Sequence, residues 1–198
     1  MEPRGLIFDC DGTLVDTMPA HLEAWLETLG GFGFSLDEDR FYSMGGWPSR
    51  IVAKSLFDEA GIPIDVDQIV LHKESLYLKR LTDVTLIEPI VSIARQYRGK
   101  VPMAVATGAT RAVCERTLDI VGIRDWFDVL VTADDVTRHK PEPDIFLESA
   151  RKIGIEPAHC RVYEDADPGI EAAKRAGMEF VDVRTLYRPR RVTPLKTA

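Results

Sequence analysis

Near its N-terminus the chain carries two aspartates, one residue apart, directly after a short apolar run. The run, residues 5–8, predicts a buried strand that ends at Gly12 and Thr13, so that Asp9 and Asp11 project from its carboxyl end. In an open sheet of parallel strands, ligands bind at this edge. Two carboxylates this close repel each other unless a cation neutralises them or one carries a proton. The motif therefore predicts a functional site.

Composition excludes several functional classes. The chain has 198 residues, 45% apolar and 29% charged, which suits one domain or a domain with a large insertion. A net charge of -7 argues against broad nucleic-acid binding. Because the apolar runs are too short to cross a bilayer and no secretory pattern is seen, we expect a cytoplasmic protein with no membrane partner. The isolated Cys10, Cys114 and Cys160 predict neither a disulfide framework nor a zinc site.

From about residue 84 onward, apolar runs alternate with amphipathic segments. The runs predict strands at 101–106, 129–132, 161–163 and 180–183, and the segments between them predict helices at about 111–121, 144–153 and 168–176. Strands alternating with helices at this spacing are typical of an α/β fold with a doubly wound parallel sheet.

Residues 17–86 do not follow that alternation. Helical patterns at about 18–29, 49–60 and 66–81 predict a small helical domain, inserted after the first strand and lying over the strand ends as a lid. We therefore expect a core made of residues 1–16 and 87–198 and a helical cap made of residues 17–86. The tail from Tyr187, rich in arginine and proline, predicts a frayed terminus.

Three further segments supply groups that handle phosphate or metal. Thr107 offers a hydroxyl and Gly108 lets backbone N–H groups approach an anion, although this pair is also typical of a plain turn with a helix cap. Lys140, stiffened by adjacent prolines, offers a fixed charge for a phosphate or a carboxylate. Glu164 and Asp165 bring a second acidic pair to the same edge. Oxygen ligands without His or Cys suit Mg²⁺.

In this order, the motifs resemble those of the haloacid dehalogenase superfamily of phosphotransferases, in the subgroup with an α-helical cap. The resemblance covers nearly the whole chain and implies a Rossmann-like core with strand order 3-2-1-4-5. It implies that Asp9 is the nucleophile that forms an aspartyl phosphate, and that Asp11 is a general acid and then a general base.

The same resemblance implies roles for the remaining core residues. Thr107 and Lys140 would hold the transferring phosphoryl group. Mg²⁺ would be bound by Asp9, by the backbone carbonyl of Asp11, and by Asp165 with Glu164.

Within the superfamily, the chain is similar to the sugar-phosphate branch that contains β-phosphoglucomutase and a fructose-1-phosphate phosphatase. The similar segments are residues 16–21 with Trp25, residues 45–50 and residues 164–170. The resemblance implies substrate contacts from five residues, namely His21, Gly46, Arg50, Lys73 and Gly108. For the basic residues of the cap, an ordinary surface position is the alternative, because Arg and Lys are mostly exposed.

Three functions remain open on this basis. The leading one is a Mg²⁺-dependent phosphatase acting on a small phosphorylated sugar such as fructose 1-phosphate. The second is a mutase that moves phosphate between two hydroxyls of one hexose through a bisphosphate. The third is a noncatalytic sugar-phosphate-binding protein. In each case we expect a monomer, with a homodimer as the alternative, and no nucleic-acid partner.

Overall fold

A computed structural model describes residues 2–192 and contains a five-stranded parallel sheet. The strands lie in the order β3-β2-β1-β4-β5, which confirms the predicted fold class and strand order. Their bounds are β1 (Gly5–Phe8), β2 (Met103–Ala106), β3 (Val129–Val131), β4 (Cys160–Glu164) and β5 (Glu179–Asp182). Because β1 is central, its carboxyl end lies between those of β2 and β4.

Eight α-helices accompany the sheet in the described part of the chain. They are α1 (Met18–Gly30), α2 (Glu38–Ser43), α3 (Ser49–Ala60), α4 (Val66–Leu78), α5 (Glu88–Tyr97), α6 (Arg111–Ile120), α7 (Asp144–Ile153) and α8 (Asp167–Arg175). Short 3-10 helices cover Leu81–Asp83, Arg124–Trp126, Ala133–Asp135, Pro157–His159 and Val183–Thr185. Within residues 2–192, no helix is both long and apolar enough to cross a membrane.

Helices cover both faces of the sheet because the strand side chains alternate in direction. On β1, Leu6 and Phe8 face one apolar cluster, which includes residues of α5 and α6. Ile7 faces the other cluster, which includes residues of α7 and α8. Strand β2 divides in the same way, so both faces are buried and the strand ends are left as the polar edge.

The helices α1 to α4 lie between β1 and β2 in sequence and bury an apolar cluster of their own. This cluster includes Trp25 and Leu29 of α1 and Phe57 of α3. A smaller cluster connects this helical layer to the sheet layer, where Tyr77 of α4 packs with Val113 of α6. The layer therefore has its own core and a limited apolar contact with the rest of the molecule.

Two helices are absent from the sequence prediction. Helix α2 has only six residues, and Asp37 caps it by accepting a hydrogen bond from the N–H of Arg40. Helix α5 carries Pro89 in its first turn, where the backbone N–H that proline lacks would have no partner within the helix. The helix buries Ile90, Val91 and Ala94 on one face. Both segments are short, so each contains too few apolar residues to show a helical period in the sequence.

The predicted fraying from Tyr187 is wrong for residues 187–192. The Tyr187 hydroxyl donates to Oδ2 of the buried Asp16 at 2.7 Å, and Arg190 Nε contacts the same oxygen at 3.3 Å. Beyond this point the tail reaches α2, where the N–H of Val192 donates to Glu38 Oε1 at 2.9 Å. The buried carboxylates of Asp16 and of Glu38 on α2 hold the segment in place. Residues 193–198 lie outside the described residues.

We predict that Tyr187→Phe destabilises the protein by about 1–3 kcal/mol, because the carboxylate of Asp16 loses a donor while it stays buried. Oδ1 of Asp16 already has no partner within the described chain, so the loss falls on an incompletely satisfied group. Urea unfolding monitored by circular dichroism measures the change.

The matched control is Tyr97→Phe, because the Tyr97 hydroxyl donates to the exposed Glu2 at 3.0 Å. We expect this variant to lose less than about 0.5 kcal/mol. Equal losses in the two variants would contradict a structural role for the tail.

Candidate active site

The candidate nucleophile Asp9 lies directly after β1. Its backbone N–H donates to the carbonyl of Tyr163 at 3.0 Å, so the ladder between β1 and β4 continues through it. The residue is 3% exposed, and its Oδ1 accepts a hydrogen bond from the ammonium of Lys140 at 2.6 Å. Burial and the charge of Glu164 raise the pKa of Asp9, and Lys140 opposes that rise. Asp9 therefore depends on neighbouring cations to stay ionised.

Lys140 connects the ends of three strands. Besides Asp9, its ammonium donates to the carbonyl of Ala106 at 3.2 Å, at the end of β2, and to Glu164 Oε2 at 2.7 Å, at the end of β4. Burial disfavours the ammonium form, but the two carboxylates outweigh burial and raise the pKa of Lys140. Lys140 is thus a permanent cation inside the acidic cluster.

The turn after β1 positions Asp165 beside this cluster. Thr13 Oγ1 donates to Asp165 Oδ1 at 2.9 Å. Gly12 has a φ of +83°, and a Cβ on it would lie 2.4 Å from Asp165 Oδ2, so the turn requires glycine. Burial and the charge of Glu164 raise the pKa of Asp165 to about 7. The carboxylate of Asp165 is thus fixed in place by Thr13, although its surroundings disfavour the negative charge.

The carboxylates fit a hard divalent cation. Asp9, Glu164 and Asp165 each offer an oxygen, and these atoms lie within 4.8 Å of one another. Glu164 Oε1 also accepts hydrogen bonds from the backbone N–H groups of Asp165 and Ala166. Asp9 and Asp165 therefore have fewer hydrogen bonds from the protein than Glu164 and are the freer carboxylates for a cation. The raised pKa of both indicates that Lys140 alone does not balance the cluster. A donor set of oxygens suits Mg²⁺.

The second aspartate of the motif, Asp11, faces the helical layer instead. Its carboxylate accepts hydrogen bonds from Thr17 Oγ1 at 2.7 Å and from Thr107 Oγ1 at 3.4 Å, and it contacts His21 Nε2 at 3.3 Å. Burial raises the pKa of Asp11, but His21 and Thr17 outweigh it and lower the pKa to about 2. The side chain of Asp11 is therefore hydrogen-bonded away from the acidic cluster. The two acids of one motif have opposite environments.

A chain of hydrogen bonds continues from Asp11 into the helical layer. Lys73 Nζ lies 2.7 Å from His21 Nδ1 and donates to Glu74 Oε1 at 3.2 Å. A hydrogen bond donated by Lys73 Nζ to Nδ1 requires the imidazole proton on Nε2, the nitrogen that contacts Asp11. The His21 ring stacks on Tyr77 with the ring centroids 3.8 Å apart. Two predicted cap residues, His21 and Lys73, thus contact the catalytic motif directly or through one neighbour.

A cavity of about 60 Å³ lies between the sheet edge and the helical layer. The residues lining it include Asp9, Asp11, Thr107 and Gly108 from the sheet side and His21, Trp25, Phe41, Gly46, Trp47, Ser49, Lys73 and Glu74 from the helical side. The layers touch beside it, since a Cβ on Gly108 would lie 2.5 Å from the carbonyl oxygen of Gly46. Ligand sites usually measure roughly 300–1,000 Å³, so the cavity in this conformation is smaller than a typical ligand site.

One predicted substrate-binding residue, Arg50, does not line the cavity. Its side chain is 62% exposed on α3 and forms an ion pair with Asp67 of α4. The buried face of α3 is formed by Val52, Ala53, Leu56 and Phe57. In this conformation Arg50 therefore lies on the surface, which was the alternative considered for the basic residues of the cap.

The sequence prediction missed Thr17, Ser49 and Glu74, which contact predicted site residues. Thr17 bonds Asp11, and Ser49 Oγ donates to Glu74 Oε1. A signal existed for this part of α4, because its buried residues Ile69, Lys73, Leu76 and Tyr77 are spaced as one helical stripe. A lysine within such a stripe indicates a polar network in place of plain core.

Comparison with known proteins decides the family. A family model described as haloacid dehalogenase-like hydrolase matches residues 6–183. The chain belongs to the haloacid dehalogenase-like hydrolases. The resemblance in the motifs and the expectation of an enzyme are both confirmed.

Relatives of this hydrolase cover most of its length. The fructose-1-phosphate phosphatase YqaB of Escherichia coli strain K12 is 41% identical over 182 residues, covering 92% of this chain and 97% of the relative. A phosphorylated carbohydrates phosphatase of Thermotoga maritima is 29% identical over 182 residues, covering 90% and 83%. The crystal structure of a β-phosphoglucomutase from Clostridium difficile superposes with a TM-score of 0.84 at 23% identity, covering 92% and 84%, which supports the fold.

If the acidic cluster of this hydrolase binds Mg²⁺, Asp165→Asn should have opposite effects with and without the ion. In metal-free protein the variant removes repulsion from Glu164, so we expect the melting temperature to rise by about 3 °C or more. In the parent protein, Mg²⁺ at about 100 times its dissociation constant should raise the melting temperature by about 5–10 °C, and the variant should lose most of this shift.

Differential scanning fluorimetry in EDTA and in Mg²⁺ measures both effects. The control is Asp58→Asn, which makes the same charge change on an exposed residue paired with Lys54. An unchanged melting temperature of the parent protein on addition of Mg²⁺ would refute the metal site.

Proposed function

We propose that this chain is a Mg²⁺-dependent phosphatase that hydrolyses a small sugar phosphate, such as fructose 1-phosphate, through an aspartyl phosphate on Asp9. The observation that carries the proposal is the pairing of Asp9 and Asp11 in one closed cavity with opposite electrostatic environments. Asp9 contacts the cation of Lys140, whereas Asp11 contacts Thr17 and His21. Two like groups held in unlike environments suit two different roles.

The identity of the relatives supports the substrate class. The Escherichia coli relative is named for fructose 1-phosphate and the Thermotoga maritima relative for phosphorylated carbohydrates. Both cover at least 90% of this chain, so the similarity includes the helical layer as well as the sheet.

In the first step, a carboxylate oxygen of Asp9 attacks phosphorus, and the bond between phosphorus and the sugar oxygen breaks. Lys140 fixes the orientation of the attacking group and, together with the bound cation, would favour its ionised form. Bound Mg²⁺, held by Asp9, Asp165 and the backbone carbonyl of Asp11 with support from Glu164, would neutralise the charge that develops on the phosphoryl oxygens.

Asp11 carries the proton in both steps. In the closed structure its pKa is about 2, because His21 and Thr17 contact the carboxylate. Rotation toward the substrate would exchange those contacts for the negatively charged phosphate, which raises the pKa of Asp11 so that its carboxylate takes up a proton from solvent and then donates it to the leaving sugar oxygen. Asp11 then takes a proton from water as the water attacks the aspartyl phosphate, which releases phosphate and regenerates Asp9.

Thr107 and Gly108 are proposed to hold the phosphoryl oxygens. Thr107 lies in the cavity, and its hydroxyl already accepts the N–H of Ala109 at 3.1 Å, so its orientation is fixed. The loop leads into α6, whose N-terminal N–H groups favour an anion.

Residues 17–86 are proposed to act as the lid, in which His21, Gly46 and Lys73 contact the sugar and Arg50 reaches it only when the lid moves. The closed cavity supports this role, because it is too small for a sugar phosphate. We propose that the protein acts as a monomer, with a homodimer as the alternative.

A panel of sugar phosphates tests the function against its alternatives. We expect phosphate release from fructose 1-phosphate with kcat/KM of at least about 10⁴ M⁻¹s⁻¹, and no isomeric hexose phosphate with or without glucose 1,6-bisphosphate. A coupled phosphate assay and chromatography of the products provide the readouts. Isomer formation would favour the mutase, and binding without release would favour a sugar-phosphate-binding protein.

Two variants test the roles of the aspartates. Asp9→Asn should lower kcat by at least about 10³-fold with unchanged circular dichroism, because the amide does not attack phosphorus. Asp11→Asn should lower kcat by about 10²–10⁴-fold for a sugar phosphate and by less for p-nitrophenyl phosphate, whose leaving group needs no proton. Equal losses for the two substrates would rule out Asp11 as the proton donor.

A further inference from the structure

Glu74 lines the cavity and has one carboxylate oxygen without a hydrogen-bond partner among the described residues. It lies on α4 and lines the same cavity as Asp9 and Asp11. Its Oε1 accepts hydrogen bonds from Ser49 Oγ and from Lys73 Nζ. Its Oε2 is buried and has no hydrogen-bond partner in the part of the chain that the structure describes. A buried acceptor without a donor is uncommon, and a ligand hydroxyl would satisfy it.

Glu74 also determines the charge on the helical side of the cavity. Burial raises its pKa, but Lys73, His21 and Ser49 outweigh burial and lower it, so Glu74 is ionised at neutral pH. The charge of Lys73 is therefore balanced by its neighbour, and its ammonium is directed to His21 Nδ1 and Glu74 Oε1.

The cavity has no uncommitted cation on that side among the described residues that line it. The basic residues there, His21 and Lys73, are hydrogen-bonded to Asp11 and Glu74. Arg50, the other basic candidate, pairs with Asp67 outside the cavity. A second phosphate at this end would meet a carboxylate with no free positive charge to balance it.

We propose that Glu74 determines substrate specificity: it accepts a hydroxyl from the end of the sugar remote from the transferred phosphate, and it rejects substrates with a second phosphate there. This inference rests on the proposed function. It narrows the substrate class to monophosphates of polyhydroxylated molecules.

The test compares kcat/KM for fructose 1-phosphate and fructose 1,6-bisphosphate in the parent protein and in Glu74→Gln. We expect the parent to prefer the monophosphate by about 10-fold or more, and the variant to lose most of that preference, because glutamine keeps an acceptor for Ser49 and Lys73 without the charge. The readout is the ratio of the two substrates in one preparation, so a general loss of activity cancels. An unchanged ratio would overturn the proposal.

The matched control is Glu59→Gln on α3, which makes the same chemical change on an exposed residue paired with Arg40. Its ratio should equal that of the parent, and an equal shift in both variants would overturn the proposal in favour of a general charge effect.

A second measurement needs no variant. In the parent protein, 6-deoxyfructose 1-phosphate should have a kcat/KM about 10-fold or more below that of fructose 1-phosphate, because Glu74 loses its donor. Equal values would overturn the hydroxyl contact. If the parent protein released phosphate from no sugar phosphate, the proposed function would fail as well, whereas hydrolysis with an unchanged substrate ratio would refute only the role of Glu74.

Discussion

The buried ammonium of Lys140, held between Asp9 and Glu164, is the contact on which the active site depends. It connects the ends of β1, β2 and β4 through a single side chain, because it also donates to the carbonyl of Ala106. Removing one member of such a buried set leaves an uncompensated charge, which is strongly destabilising. The same cation opposes the rise in pKa that burial and Glu164 cause in Asp9, the proposed nucleophile. The stability of the sheet edge and the electrostatics of Asp9 thus depend on the same interaction.

The sequence motifs were sufficient to predict the sheet and its polar edge. Parallel strands bring their carboxyl ends together, so residues as distant in sequence as Asp9, Thr107 and Glu164 converge by topology alone. Adjacent-residue patterns carried less information about the helical layer. Lys73 was predicted only by resemblance, and Glu74 was missed, because their surroundings depend on how α4 packs against α1 and α3.

Some features of the site depend on conformation, which no motif specifies. Arg50 lies on the surface here although the resemblance implied a substrate contact, because in the closed state α3 turns its buried face toward the core of the helical layer. In the proposed reaction, the helical cap would also determine which acceptor reaches the aspartyl phosphate. Water would accept the phosphoryl group if the sugar leaves before the cavity closes again, and a sugar hydroxyl would accept it if the sugar stays. The timing of cap motion would therefore separate a phosphatase from a mutase.

The ion pairs that attach residues 187–192 to α2 differ in salt sensitivity from the buried ion pairs of Lys140. Arg191 joins α2 through ion pairs with Glu38 and with the exposed Asp39, whereas Lys140 and its partners are buried. Dissolved ions screen surface pairs and have little effect on buried ones. Rising ionic strength therefore loosens the attachment of the tail to the helical layer while the catalytic charges stay paired. The attachment of residues 187–192 to α2 is thus the part of this charge network that responds to the surrounding electrolyte.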